Sequence, residues 1–404
     1  MNTTASGPPI RFSLFLLSVS LAATACQQEL DQSELDPPWV GMTDLPFSET
    51  HDSAGILVVE NARPADTAML DWQIGPEPAV TIGVVEGEGP LMLHRVGDAT
   101  KLPDGRIVIA ETSSSELKVF DSTGTYLETW GGMGEGPGEF PSYMLQEVWS
   151  WPGDSIIAWY SPGWRVSVFD SEGNYARSFL GPGVGQASWQ VGRPRLARTD
   201  GTILTNLGPE GADTALIEIR DGAGELYTSL GYHPKRQPLY FSRELRLALW
   251  GDLVIVSSHD KYEFKAYAAD GSLVRIVRRD YETRMPRAAD ILVSPTLAPE
   301  YRIPMEREML RVPQSRIAET FPAFTWVMSD AAGYLWVKEY QPPREQRPVP
   351  LWTIFNPEGR VLGFVETPVG LNLWEIGEDY ILGHFEDELG VEYVQVWPLD
   401  RWGM

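Results

Sequence analysis

Short apolar or alternating runs recur along this chain, and each is entered through a tight polar turn. One series is PDGRIVIAE from Pro103, PGDSIIAWY from Pro152, TDGTILTNL from Thr199, WGDLVIVSS from Trp250, AAGYLWVKEY from Ala331 and IGEDYILGHF from Ile376. Its glycines Gly105, Gly153, Gly201, Gly251, Gly333 and Gly377 fall 48, 48, 50, 82 and 44 residues apart. A second series repeats an apolar pair, a polar turn, a glycine and another strand: VFDSTGTYLETW from Val119, VFDSEGNYARSF from Val168, IRDGAGELYTSL from Ile219, AYAADGSLVRIV from Ala266 and IFNPEGRVLGFV from Ile354. Its anchors Phe120, Phe169, Arg220, Tyr267 and Phe355 lie 49, 51, 47 and 88 residues apart. Two independent landmarks share one period, so the chain is built of repeats.

A unit of about 45 to 50 residues holding four short strands joined by turns is the pattern of a propeller blade. The first series occurs six times. In the sixth unit the third strand is Tyr393 to Pro398, with Trp397 in the place of Phe120, and the chain then ends. The missing outer strand is supplied by AVTIGVVEGEGP from Ala79, which imitates LETWGGMGEGPGEF from Leu127 and closes the ring with strands from both termini. A further strand, Ile56 to Glu60, has no assignable neighbour. The 88-residue gap is an insertion rather than a seventh blade: no glycine occurs from Ser272 to Ala332, where hairpin turns would need one, and Pro286, Pro295, Pro299, Pro304, Pro313 and Pro322 interrupt any strand. The expectation is an all-β fold, a six-bladed β-propeller of four-stranded antiparallel blades. It carries one insertion at about 280–320 between blades 4 and 5. That insertion holds a short helix around Met305 to Arg311 with Pro304 in its first turn.

The link GEGPGEF from Gly134 to Phe140, followed by a strand, a D-G turn and the F-D-x-x-G hairpin, resembles bacterial six-bladed propellers related to NHL-repeat and TolB-like domains. The likeness runs from about Gly55 to Trp402 and implies the fold. It does not imply an activity, because that scaffold carries binding modules, lactonases, lyases and dehydrogenases alike.

Upstream of the repeats, Arg11, the apolar run from Phe12 to Leu21 and the small residues Ala22 to Ala25 predict an export signal over 1–25. At about 14 residues that run is shorter than the roughly 20 needed to span a bilayer. The stretch ending in Cys26 resembles the lipobox of bacterial lipoproteins, which implies acylation of Cys26, the only cysteine. Residues 26–54 are polar, contain Pro37-Pro38 and have no apolar period, as in a tether, so the domain is expected over 55–404. The resemblance places the protein at the outer membrane or cell surface, held through its lipid.

The chain has 56 acidic and 32 basic residues and a net charge of -24. Nucleic acid is excluded as a partner, since phosphate contacts need a basic footprint. The exception is local: nine arginines lie between Arg275 and Arg316 against six acids. The insertion is therefore either a lid that presents Arg284, Arg287 or Arg302 to an anionic ligand, or a packed cover whose arginines pair with surface carboxylates.

In a four-stranded blade the first-to-second and third-to-fourth turns share one end, and here they are tight. The opposite end carries the long loops Glu111 to Glu116, Gly208 to Asp213, Gln341 to Pro350 and Phe385 to Val391, the inter-blade links and the insertion, so function is expected there. His259 and His384 follow second strands, with Glu111, Tyr160 and Asn206 near comparable places; together they could line the channel mouth. Trp164 and Trp189 are loop tryptophans near the same face. Six-bladed amidating lyases use several histidines around zinc, and calcium lactonases a ring of Asn, Asp and Glu; this chain matches neither set. No motif calls for a cofactor, and a calcium or zinc ion remains open. No G-x-S-x-G, H-E-x-x-H or paired-cysteine pattern occurs. The expectation is a monomeric, non-catalytic binding or scaffold module for an envelope protein, peptide or glycan. The alternatives are a metal-dependent lactonase- or lyase-like enzyme and a structural envelope component.

Overall fold

The computed structural model describes residues 48–401 except 88, 161–164, 182–192, 209–211, 293–297 and 346. Six antiparallel sheets form the blades of a propeller. Blade 1 is Val96–Lys101, Ile107–Glu111, Glu116–Phe120 and Tyr126–Gly131, and blade 2 is Leu145–Trp151, Ser155–Tyr160, Arg165–Phe169 and Tyr175–Leu180. Blade 3 is Arg193–Ala197, Ile203–Leu207, Thr214–Arg220 and Leu226–Pro234; blade 4 is Leu245–Trp250, Leu253–Ser258, Glu263–Tyr267 and Leu273–Arg279. Blade 5 is Phe324–Ser329, Leu335–Glu339, Leu351–Phe355 and Val361–Glu366. Blade 6 is Asn372–Ile376, Tyr380–Glu386 and Glu392–Asp400, completed by Val80–Ile82 on its outer edge. The ring thus closes as the pattern from Ala79 predicts.

The second strands have apolar centres, as in Ile107–Ala110, Ile156–Trp159, Val254–Val256 and Leu335–Val337, because each face of a blade packs on a different neighbour. In blade 1, Ile107 and Ile109 face blade 6 with Val394 and Val396, while Val108 and Ala110 face blade 2 with Val148 and Ile156. The repeated anchors sit opposite the first residue of that core: Phe120 pairs with Ile107, Phe169 with Ile156, Arg220 with Ile203, Tyr267 with Val254, Phe355 with Leu335 and Trp397 with Ile381. Phe120, Phe169 and Phe355 are fully buried, each contributing about 1.5–3 kcal/mol.

The aspartate after the anchor makes the turn. Asp121 Oδ1 accepts from the Thr123 and Thr125 amides at 2.9 Å, and Asp170 and Asp221 repeat the arrangement. The turn glycine has a second role. Gly173, at φ +81°, lies so close to Trp130 of blade 1 that a Cβ would stand 2.0 Å from its Nε1. The repeated phrase is therefore both hairpin and inter-blade contact.

The strand Ile56–Asn61 pairs in parallel with Leu273–Arg279, the outer strand of blade 4, and Ser48–Ser53 adds outside it, making six strands. From there the chain passes blade 5, where Met69 bridges Phe364, and reaches blade 6 at Gln73–Ile74 and Val80–Ile82. A belt thus covers the outer edges of blades 4, 5 and 6. Asn61, 3% exposed, fastens it: its Nδ2 donates to the Arg278 and Gly359 carbonyls at 2.9 and 3.0 Å, and its Oδ1 accepts from the Val361 amide at 2.8 Å.

Two expected boundaries shift. Ser48–Ser53 belongs to blade 4, which takes the segment 48–54 out of the expected tether; its side chains are almost all exposed, so no alternation marks it as a strand. The insertion helix is Pro299–Met309, with Pro299 in its first turn and Pro304 inside it. Its start precedes the expected one because Pro299, not Pro304, occupies the position where a missing N–H costs nothing. Among the described residues no helix is long and apolar enough to cross a membrane. Cys26 and the leader lie outside the described residues.

Candidate functional site

Second-to-third loops, inter-blade links and the insertion stand at one end of the ring, as expected. The candidate residues do not converge there. Counted from Ile107 and its counterparts, Glu111 and Tyr160 are four residues on, Asn206 and His384 three, and His259 five. Positions three and four face opposite sides of their blades. Glu111 and Tyr160 thus take one side of their blades and Asn206 and His384 the other, so strand register does not put all of them on one wall.

Each candidate has local work instead. Glu111 is buried and accepts from the His94 amide, the Ser113 and Ser114 hydroxyls and the Ser114 amide, with Lys118 at 3.7 Å; it organises the connection to Glu116, which is a four-residue turn and not the expected long loop. Tyr160 is buried edge-on against Phe140 at 5.5 Å in the contact of blades 1 and 2. Asn206 is half-buried in strand pairing with Arg193 and Ile217. His259 is 5% exposed, with Nδ1 3.0 Å from the Phe324 carbonyl and Nε2 3.3 Å from that of Ser242, joining blade 4 to blade 5; burial, then Arg246, lowers its pKa. His384 stacks on Trp374 at 5.4 Å and has Nε2 3.3 Å from Glu392. Trp164 and Trp189 lie outside the described residues. Among the described residues no cluster of three His, Cys, Asp or Glu side chains could hold a metal ion.

The arginine excess of the insertion also resolves differently. Arg275, Arg278 and Arg279 are on the fourth strand of blade 4, leaving six arginines in the insertion proper. Arg302 pairs with Glu306 at 3.7 Å, Arg284 with Glu345 and, at 3.7 Å, Glu282. Arg287 is exposed, and its amide donates to Asp290 at 2.8 Å. Arginines paired with carboxylates are what a packed cover predicts, so the lid reading does not hold for Arg284 or Arg302.

One concavity of the long-loop end does draw separate segments together. About 550 Å³ opens at the seam of blades 4 and 5, walled by the belt at Arg63 and Asp66, the end of blade 4 at Arg279, both ends of the insertion at Tyr281, Glu282 and Arg284 and at Phe321–Ala323, and blade 5 at Glu339–Pro342, Glu345, Arg347 and Leu351. A second, about 630 Å³, lies along Pro304–Pro313 and has walls from that single stretch only.

The floor of the seam pocket is rigid. Arg279, its side chain 1% exposed, sets two nitrogens 2.9 and 3.0 Å from the two Glu339 oxygens and lies 3.7 Å over the Tyr262 ring. Glu339 also accepts from the Tyr262 and Thr353 hydroxyls at 2.7 Å. Burial holds the Tyr262 hydroxyl well above its ordinary value. On the wall, Tyr340 stacks on Phe321 at 5.5 Å, and Phe241 braces Phe321 edge-on at 5.0 Å. Burial, then Asp290, pushes the Tyr340 hydroxyl up to about 12, so it remains a donor. Arg284 and the Arg63–Asp66 pair, at 2.6 Å, stand at the rim.

Glu339, Tyr340, Phe321, Arg279, Arg63, Glu345 and Arg347 escaped the sequence reading. A usable signal existed: Glu339 is four residues past Leu335, the register of Glu111, so it is a charged residue closing an apolar second strand.

No family model matches this chain, and no curated protein does. Among solved structures, an exported-protein candidate from Bacteroides fragilis is 12% identical, covering 85% of this chain and 99% of its own with a TM-score of 0.48. A member of the DUF4221 family from Bacteroides vulgatus is 11% identical over 81% of this chain and 98% of its own, at 0.47. A gluconolactonase from Xanthomonas campestris is 12% identical over 74% and 83%, at 0.39. At such identities and superpositions these likenesses carry nothing about what this chain binds.

Proposed function

We propose that this chain is an exported, lipid-anchored propeller that works as a non-catalytic binding module and takes its ligand at the seam of blades 4 and 5. The seam pocket supports this: about 550 Å³, within the roughly 300–1,000 Å³ of small-ligand sites, with walls from separate segments over a rigid floor. The groups that catalysis or metal binding would draw on, Glu111, His259 and Glu339, are each committed to contacts within the fold. Cys26, with the apolar run before it, supports the anchor.

The test is a thermal-shift screen of peptides, glycans and small polar metabolites against the soluble domain and against Tyr340→Ala. Ligands that raise the Tm of the parent but not of the variant support binding at the seam; hits that stabilise both equally refute it. Elemental analysis checks the enzymatic alternative: a stoichiometric divalent ion lost on His259→Ala or His384→Ala would overturn the non-catalytic reading. Cys26→Ala releases the protein from membranes if the anchor is real, and unchanged membrane attachment would show that it is not.

A further inference from the structure

We infer that the seam pocket is a saccharide site, accepting a neutral ligand rich in hydroxyl groups; this rests on the binding role proposed above and names its ligand class. The lining carries four arginines, Arg63, Arg279, Arg284 and Arg347, and four carboxylates, Asp66, Glu282, Glu339 and Glu345. In a chain of net charge -24 this is a locally neutral surface. An anionic ligand meets four carboxylates there and a cationic one four guanidiniums, so charge favours neither.

Paired charges are nevertheless rich in hydrogen-bonding capacity. A guanidinium has five N–H donors in a fixed fork and a carboxylate about four acceptor sites, so an Arg–carboxylate pair keeps donors and acceptors side by side after the pair has formed. Arg63 with Asp66 and Arg284 with Glu345 present such arrays at the rim, both partly open to water. A hydroxyl group donates and accepts at once, so vicinal hydroxyls satisfy both halves of an array where a single charged group satisfies one.

The aromatic wall fits the other face of the same ligand. The C–H face of a sugar ring lies flat on an aromatic ring, and Tyr340 is held flat by Phe321 with its hydroxyl protonated as a further donor.

A peptide fits less well. Strand addition needs an open sheet edge, and the outer edge of blade 4 at this seam is closed by Ile56–Asn61, while Leu351–Phe355 is paired on both sides.

The test is titration calorimetry of the soluble domain with three probe sets: uncharged di- to tetrasaccharides of several linkages, mixed-sequence tetrapeptides, and citrate with inorganic phosphate. At least one saccharide series is expected to bind, with affinity changing less than about twofold between low and high salt because a neutral ligand is not screened. Tyr340→Ala and Arg284→Ala should each weaken it about tenfold, with the Tm unchanged in Arg284→Ala, since a rim pair adds little to stability. Tetrapeptide or salt-sensitive anion binding lost in those variants, with no saccharide bound, overturns the ligand class and leaves the binding role standing. Saccharide binding that survives both substitutions overturns the site. Silence from all three sets overturns both.

Discussion

Replacing Glu339 by glutamine tests the floor of the seam pocket. The variant keeps the shape and one acceptor for the Tyr262 and Thr353 hydroxyls, but it turns an NH₂ group toward an Arg279 nitrogen that now faces an oxygen at 2.9 or 3.0 Å. The guanidinium, 1% exposed, is left without its counter-charge. Removing one partner of a buried pair costs about 3–5 kcal/mol, and because Glu339 is 14% exposed and water reaches it, the lower end, about 3 kcal/mol, applies. With an unfolding entropy of roughly 2.1 cal/mol/K per residue over about 350 residues, that lowers the Tm by about 4 °C. Urea unfolding with a constant m-value is the primary assay. The double variant Arg279→Met with Glu339→Leu removes the stranded charge and should recover at least about half of the loss, the remainder reflecting the Tyr262 and Thr353 hydroxyls that lose their acceptor. A Glu339→Gln loss below about 0.5 kcal/mol, or a double variant no better than the single one, would refute the claim that this pair is desolvated and structural.

Three further outcomes are expected. Asp98 is raised well above its ordinary 3.8 by burial, then by Glu147, with Glu375 adding to it, so the folded state keeps a proton the unfolded chain releases. Its contribution is most favourable below 3.8 and is lost as pH rises through the folded value, so Asp98→Asn should stabilise the protein at mildly alkaline pH and not at acid pH; a pH-independent difference in urea unfolding would contradict this. Asn61→Ala strands the Gly359 carbonyl and the Val361 amide, at a cost of about 3 kcal/mol, and should speed hydrogen exchange in Ile56–Asn61 while leaving blades 1 to 3 unchanged. Gly173→Ala forces a side chain into the left-handed region and against Trp130, costing about 2–4 kcal/mol in urea unfolding; a neutral result would mean the blade 1–2 contact is looser than drawn.

The elements legible in the sequence are those made by local, repeated interactions. Phe120, Phe169 and Phe355, with the aspartate or asparagine after them, specify a hairpin from adjacent residues, and their recurrence reveals the ring. The closing strand Val80–Ile82 is legible because it copies the outer strand of blade 1. Ile56–Asn61 is not placed, since parallel pairing with a strand more than 200 residues away leaves no mark nearby, and Ser48–Ser53, its antiparallel partner, is too exposed to show alternation. Arg275, Arg278 and Arg279 look like part of the insertion for the same reason: the belt strand that pairs with theirs is distant in sequence. His259, His384 and Glu111 look equivalent when counted from strand ends, yet pairing register, not distance along the chain, decides which side of a blade a residue faces.

The amino-acid sequence alone determines the blade count, the ring closure, the insertion between blades 4 and 5 and the face that bears the long loops, because period-2 burial, turn chemistry and glycine requirements act over a few residues. Tertiary structure alone decides that the N-terminal strands brace blade 4, that Glu111 and His259 are held by contacts within the fold, and that Arg63, Arg279, Phe321, Glu339 and Tyr340 meet at one pocket. These residues come from four stretches spanning most of the chain. What unites them is the seam between two blades, a surface that exists only once the ring has closed.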